Sequence, residues 1–155
     1  MAFRTASFSL RRMMSTSTPR TAEMSFTFAA PNAVHYNKAS VKQVDVPSFS
    51  GAFGILPAHV PTLAVLKPGV VTVYEEDGSA KKFFVSSGSV TINEDSSVQI
   101  LAEEAHAVED LDLAAARDIV VQANADIGAA GADEVAKAEA MIALEVGEAL
   151  VAAAQ

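Results

Sequence analysis

The sequence predicts an all-β sandwich followed by an α-helical hairpin. Three observations carry this. From Ser25 to about Leu101, short β-branched or alternating runs are separated by turn residues at regular spacing. After Glu109, glycine and β-branched residues thin out and alanine dominates. Gly128-Ala129-Ala130-Gly131 then splits that alanine-rich segment in two. Half of the 155 residues are hydrophobic, enough to bury a core in one domain or two small ones.

The predicted elements begin after a segment of different character. Residues 1–22 carry Arg4, Arg11, Arg12 and Arg20, are rich in Ser and Thr, and contain no acid before Glu23. Phe3, Phe8, Leu10 and Met13 give the segment apolar surface. Basic, hydroxylated and acid-free composition predicts an organelle transit peptide over 1–22, cleaved between Met13 and Glu23. No unbroken apolar run matches a secretory signal. The boundaries that follow are a sandwich over 23–107 and a hairpin over 108–155. Without 1–22, 7 basic residues face 19 acids, a formal charge of −12.

The strand signals run in order. Ser25-Phe26-Thr27-Phe28 alternates, and Ser40 to Val46 alternates β-branched with polar residues. Val70-Val71-Thr72-Val73-Tyr74 is a strong strand. Glu75 to Ser79, with its Asp77-Gly78 pair, is a hairpin turn, and Lys81 to Ser86 returns beside the strand. Gly88 to Ile92 and Val98 to Leu101 flank a polar turn at Asn93–Ser97. In the first helix, capped by Asp110, the stripe is Leu113, Ala116, Val120, Ala123 and Ile127. In the second, starting near Asp133, it is Val135, Ala138, Ile142, Val146, Ala149 and Leu150. Facing residues of Ala and Val bury little area, so the hairpin is expected to dock on the sandwich or on a partner.

Composition excludes several classes. There is no cysteine, hence no disulfide, thiolate metal site or thiol nucleophile. A formal charge of −8 disfavours nucleic acid as a partner. No stretch beyond residue 22 has the roughly 18 uninterrupted apolar residues of a membrane span. His35, His59 and His106 are far apart and form no helical pair. Glu103-Glu104 and Glu109-Asp110-x-Asp112 lack the ligand spacing and central glycine of a calcium loop. They read as a solvated linker and helix start. No catalytic, metal or cofactor-binding residue is assigned.

One segment is distinctive: Gly51-Ala52-Phe53-Gly54-Ile55-Leu56-Pro57-Ala58-His59-Val60-Pro61-Thr62-Leu63-Ala64-Val65-Leu66-Lys67-Pro68-Gly69. Glycines, three prolines and a histidine punctuate an apolar run that no helix tolerates. The block resembles the signature stretch of the small central-stalk subunit of F-type ATP synthases, called delta in mitochondria and epsilon in bacteria and chloroplasts. The resemblance extends from about Met24 to the C-terminus and weakens in the last third. It implies a non-catalytic rotor subunit that couples proton-driven c-ring rotation to ATP synthesis. The implied partners are the gamma subunit, the small mitochondrial epsilon subunit and the c-ring, with the membrane reached only through partners. The transit peptide points to the mitochondrial branch, on the matrix side of the inner membrane.

By the resemblance, Gly51, Phe53, Gly54, Ile55, Leu56, Pro57, His59, Pro61, Thr62, Lys67 and Pro68 are the candidate interface residues. The block reads either as a docking surface or as a strand of the domain's own core. His59 reads either as a partner contact or as a loop histidine satisfying local backbone. Some bacterial members bind ATP through Ile/Leu-Asp-x-x-Arg-Ala. Here Leu111-Asp112-Leu113-Ala114-Ala115-Ala116 puts Ala115 at the arginine position, so no direct nucleotide binding is expected. Other members inhibit hydrolysis through basic C-terminal helices, whereas residues 111–155 hold Arg117 and Lys137 against eight acids. The rival class is a free-standing organellar β-sandwich ligand-binding module. Size exclusion of the native organelle extract separates the two, because only a rotor subunit runs in a very large complex.

Overall fold

The computed structural model describes residues 23–155, so the predicted transit peptide, 1–22, lies outside the described residues. Nine strands precede two helices: β1 (Met24–Ala29), β2 (Val34–Ser48), β3 (Gly51–Ile55), β4 (Thr62–Leu66), β5 (Gly69–Glu75), β6 (Ala80–Val85), β7 (Gly88–Ile92), β8 (Ser97–Ala102) and β9 (Ala105–Ala107). A single 3₁₀ turn at Val108–Asp110 leads to α1 (Leu113–Ala129) and α2 (Glu134–Ala153). Hydrogen bonding runs β1-β8-β7-β4-β2-β5-β6-β9, with β3 on β2 and a further β1–β2 pairing. The β1–β8 pair is parallel and the others are antiparallel. The sequence reading found an all-β sandwich and a helical hairpin, and the fold is that. The signature block, one of whose readings was a strand, holds β3 and β4; β9 was not expected, and β2 is about twice the length that Ser40–Val46 gave it. β2 continues because Pro47 turns its backbone toward Lys67, on the side away from β3, so its missing N–H costs no bond to β3.

The core lies between the layers. Met24, Phe26 and Phe28 of β1 meet Val41, Val44 and Val46 of β2, Val71 and Val73 of β5, and Val90 and Ile92 of β7, all buried. Alternation does this in β1, β5, β7 and β8, where every second residue turns inward. An aromatic cluster closes one end, with Phe28 and Phe83 edge to face at 5.4 Å and Phe26 and Tyr36 at 5.3 Å. Gly88 is required where β7 meets β8. A Cβ there would lie 2.4 Å from the Leu101 carbonyl oxygen, and its φ is +157°.

In the hairpin, the α1 stripe is as the sequence predicts: Ala116 and Ala123 are buried, and Leu113, Val120 and Ile127 are half-buried. Two predictions change. The cap is Asp112, not Asp110: its carboxylate accepts from the N–H groups of Ala114 and Ala115 at 2.8 and 3.3 Å. Asp110 ends the 3₁₀ turn instead. In α2 the face against α1 carries the buried Ala140 and Gly147, while Val135 and Ile142 are 68 and 64 % exposed. Helix 2 is apolar around most of its circumference, so spacing alone did not choose the face. Small residues chose it, because they let the helices approach closely. A Cβ on Gly147 would stand 3.0 Å from Val120 Cγ2.

Candidate partner interface

The hairpin docks on one side of the sandwich. Val146 and Leu150 of α2, with Leu111, meet Phe84, Ser86, Glu104 and His106 around a cavity of about 170 Å³. The opposite side, the outer face of β1, β8, β7 and β4, is uncovered. Directly paired residues share a face of a sheet. Val34 pairs with Ala29, Ala29 with Leu101, Leu101 with Ser89, and Ser89 with Val65. The Phe49 N–H donates to the Val65 carbonyl at 3.3 Å, extending this row onto the β2–β3 turn. One step along, Thr27, Gln99, Thr91 and Leu63 form a second row. Val34, Phe49, Leu63, Val65 and Leu101 are 58–74 % exposed, and no charged residue stands in either row.

The signature block borders this face. Gly51, at φ +119°, closes the β2–β3 turn, and its carbonyl accepts from the buried Ser48 hydroxyl at 2.8 Å. Phe53 is half-buried against the core, its ring 6.1 Å from that of His59. Ile55 is fully buried and faces inward with Val44, its partner on β2, so it offers no surface. The Asp45 carboxylate lies over Gly54, 2.8 Å from where a Cβ would be, so a side chain there would push that carboxylate aside.

Past β3 the chain projects. Leu56 and Val60 are 56 and 69 % exposed. The His59 N–H donates to the Leu56 carbonyl at 3.1 Å, with Pro57 and Ala58 between them. Ala58 has φ +63°, the left-handed geometry that the third position of such a turn demands and glycine normally supplies. Ser96, at φ +63° in the turn before β8, accepts from the Ala58 N–H through its hydroxyl at 3.1 Å. Two strained turns thus brace each other beside Leu56 and Val60. His59 Nδ1 lies 2.8 Å from the Val60 carbonyl and the Thr62 hydroxyl donates to the same oxygen at 2.9 Å. Pro61 is exposed; Lys67 and Pro68 are half-buried, and the Lys67 N–H donates to the Pro47 carbonyl at 3.1 Å.

The structure therefore gathers Leu56, Pro57, His59, Pro61 and Thr62 at one end of the sandwich and sets Lys67 and Pro68 apart. Sequence reasoning missed Val34, Phe49, Leu63, Val65 and Leu101. A signal existed in β4: Leu63 and Val65, two residues apart, share one face of the strand, while the small Ala64 takes the other. Among the described residues no cluster of three or more His, Asp or Glu is placed to hold a metal, and no helix is long and apolar enough to cross a membrane.

Residues 23–108 match the family model described as ATP synthase, Delta/Epsilon chain, beta-sandwich domain. The chain belongs to the ATP synthase delta/epsilon family. It is 49 % identical to subunit delta of the mitochondrial ATP synthase of Caenorhabditis elegans over 132 residues, covering 85 % of this chain and 80 % of that one. Against the Saccharomyces cerevisiae subunit it is 35 % identical, covering 94 and 89 %. In fold it is similar to a chain of the Euglena gracilis mitochondrial ATP synthase, in a structure of OSCP, F1 and c-ring. That match has a TM-score of 0.80 at 24 % identity, covering 96 % of this chain and 91 % of that one. As a member of the family it is a non-catalytic subunit of the mitochondrial ATP synthase.

Proposed function

We propose that this subunit is seated in the rotor through its uncovered apolar face. The face of β1, β8, β7 and β4 meets the gamma subunit. The end formed by Leu56, Pro57, His59, Pro61 and Thr62 rests on the c-ring. The α2 stripe of Val135, Ala138 and Ile142, which continues the docked Val146 and Leu150, receives the small mitochondrial epsilon subunit. Residues 1–22 act as a transit peptide that delivers the chain to the matrix side of the inner membrane. The single observation that carries this reading is the uncharged double row holding five large exposed apolar side chains, because a contiguous patch of that kind marks a protein contact. Asp112 supports the expectation of no nucleotide binding, since its carboxylate is committed to the helix cap.

The test replaces Leu63 and Val65 with Asp. Both are exposed, so the isolated variant keeps the wild-type melting temperature. A buried anchor contributes about 2 kcal/mol, roughly 30-fold in affinity, and a desolvated carboxylate adds to the loss. Recovery of the variant in the assembled complex, and ATP synthesis coupled to proton flow, should both collapse. Normal recovery of a folded double variant would refute the docking face.

A further inference from the structure

The outer edge of β3 is open, and the register says which atoms it offers. β3 pairs only with β2. The Pro47 carbonyl accepts from Lys67, on the β4 side of β2, and proline has no N–H to donate. Pro47 therefore points its backbone away from β3. Its partner Ala52 occupies a pair that exchanges no hydrogen bonds, so Ala52 points its N–H and C=O outward. Two residues on, Gly54 does the same. Among the described residues no hydrogen bond reaches these four groups. β3 is short, five residues, but carries no charged residue and no proline on this edge.

We propose that the free edge of β3 takes an extended segment of a neighbouring subunit as a further strand, bonded through Ala52 and Gly54. This rests on the reading of the chain as an assembled rotor subunit. The two faces of β3 state what the segment carries. On the core side, Phe53 is half-buried at the rim of the core with His59 beside it, so an apolar side chain of the incoming strand covers the Phe53 ring. On the outer side, the Asp45 carboxylate lies against Gly54 and accepts from the Gln43 amide at 2.6 Å, so the adjacent residue is a cation or a hydroxyl donor. Phe49, in the turn that opens β3, joins this edge to the apolar rows.

The test uses the full subunit and its assembled complex. Ala52→Pro removes one outward N–H and no bond to β2, and Ala52→Val keeps it. Both variants should melt as wild type; Ala52→Val should assemble normally, and Ala52→Pro should be recovered at least tenfold less. In hydrogen exchange, the amides of Ala52 and Gly54 should exchange freely in the isolated subunit and slow at least tenfold on assembly. Phe53 and Ile55, already bonded to β2, should be slow in both. Normal assembly of Ala52→Pro, or unchanged exchange at Ala52 and Gly54, overturns the strand addition. Should Ala52→Pro fail to fold, exchange alone decides. Protection of these amides in a dimer of the isolated chain also overturns it, because a second copy then fills the edge. Loss of the Leu63/Val65 variant with retention of Ala52→Pro defeats only this inference; the reverse defeats only the docking face.

Discussion

Ala58 holds a left-handed backbone without being glycine. That geometry costs an L-residue about 1–2 kcal/mol, partly offset by the smaller chain entropy that alanine loses on folding. Ala58→Gly should therefore stabilise the subunit by roughly 0.5–1 kcal/mol, read as a rise of a few degrees in melting temperature. An unchanged or lower melting temperature would show that the left-handed geometry costs the alanine less than the added chain entropy of glycine. Glu75 sits at the centre of a polar cluster with Lys81, Tyr36 and Ser79. Lys81 at 2.8 Å, then the Tyr36 hydroxyl at 2.9 Å, hold its carboxyl below the ordinary carboxylate range. A lowered folded pKa gives stability that is present above the ordinary carboxylate range and lost as pH falls through the lowered value. In Glu75→Gln that acid-limb loss should flatten in denaturant titrations run across the carboxylate range. An identical pH profile would assign no weight to the cluster. The same carboxylate pushes the hydroxyl of the buried Tyr36, already raised by burial, further up.

At the scale of elements, the helices separate what spacing can and cannot say. The α1 stripe was legible because Arg117, Asp118, Gln122, Asn124 and Asp126 fall off it, even though Ile119 and Val121 are exposed beside them. The α2 interface was not, because Val135, Ile142 and Val146 form an apolar stripe as good as the true one, and close approach at Gly147 decides between them. Gly147→Leu should push α1 and α2 apart. Circular dichroism should lose helical signal on heating well before the sandwich unfolds, turning one transition into two; a single unshifted transition would mean the hairpin tolerates the wider spacing. The strands show the same limit. Val70–Tyr74 and the Asp77-Gly78 turn were readable from alternation and turn chemistry, and the turn forms with Gly78 at φ +91°. β3 and β4 hide inside the signature block because glycine and proline break the period, although the edge position of β3 tolerates that punctuation.

Over the whole molecule, the candidate site was half legible. The block led to the loop end at Leu56–Thr62, but the apolar rows are assembled from β1, β2, β4 and β8, which lie far apart in sequence. Only register brings Val34, Leu101 and Val65 into line, and register is a long-range property that one-dimensional spacing does not contain. The outcome is a two-sided body, with the hairpin on one face and a bare apolar surface on the other. β2 has a mechanical consequence for that body. Its 15 residues pair with β1 at one end and with β5 and β3 further along, so one continuous strand is common to both layers. Two sheets held only by side-chain packing can slip past each other under tangential load. Sheets stitched by a shared strand resist that shear through covalent backbone and hydrogen bonds, so a twist applied at one face arrives at the other with little lost in between.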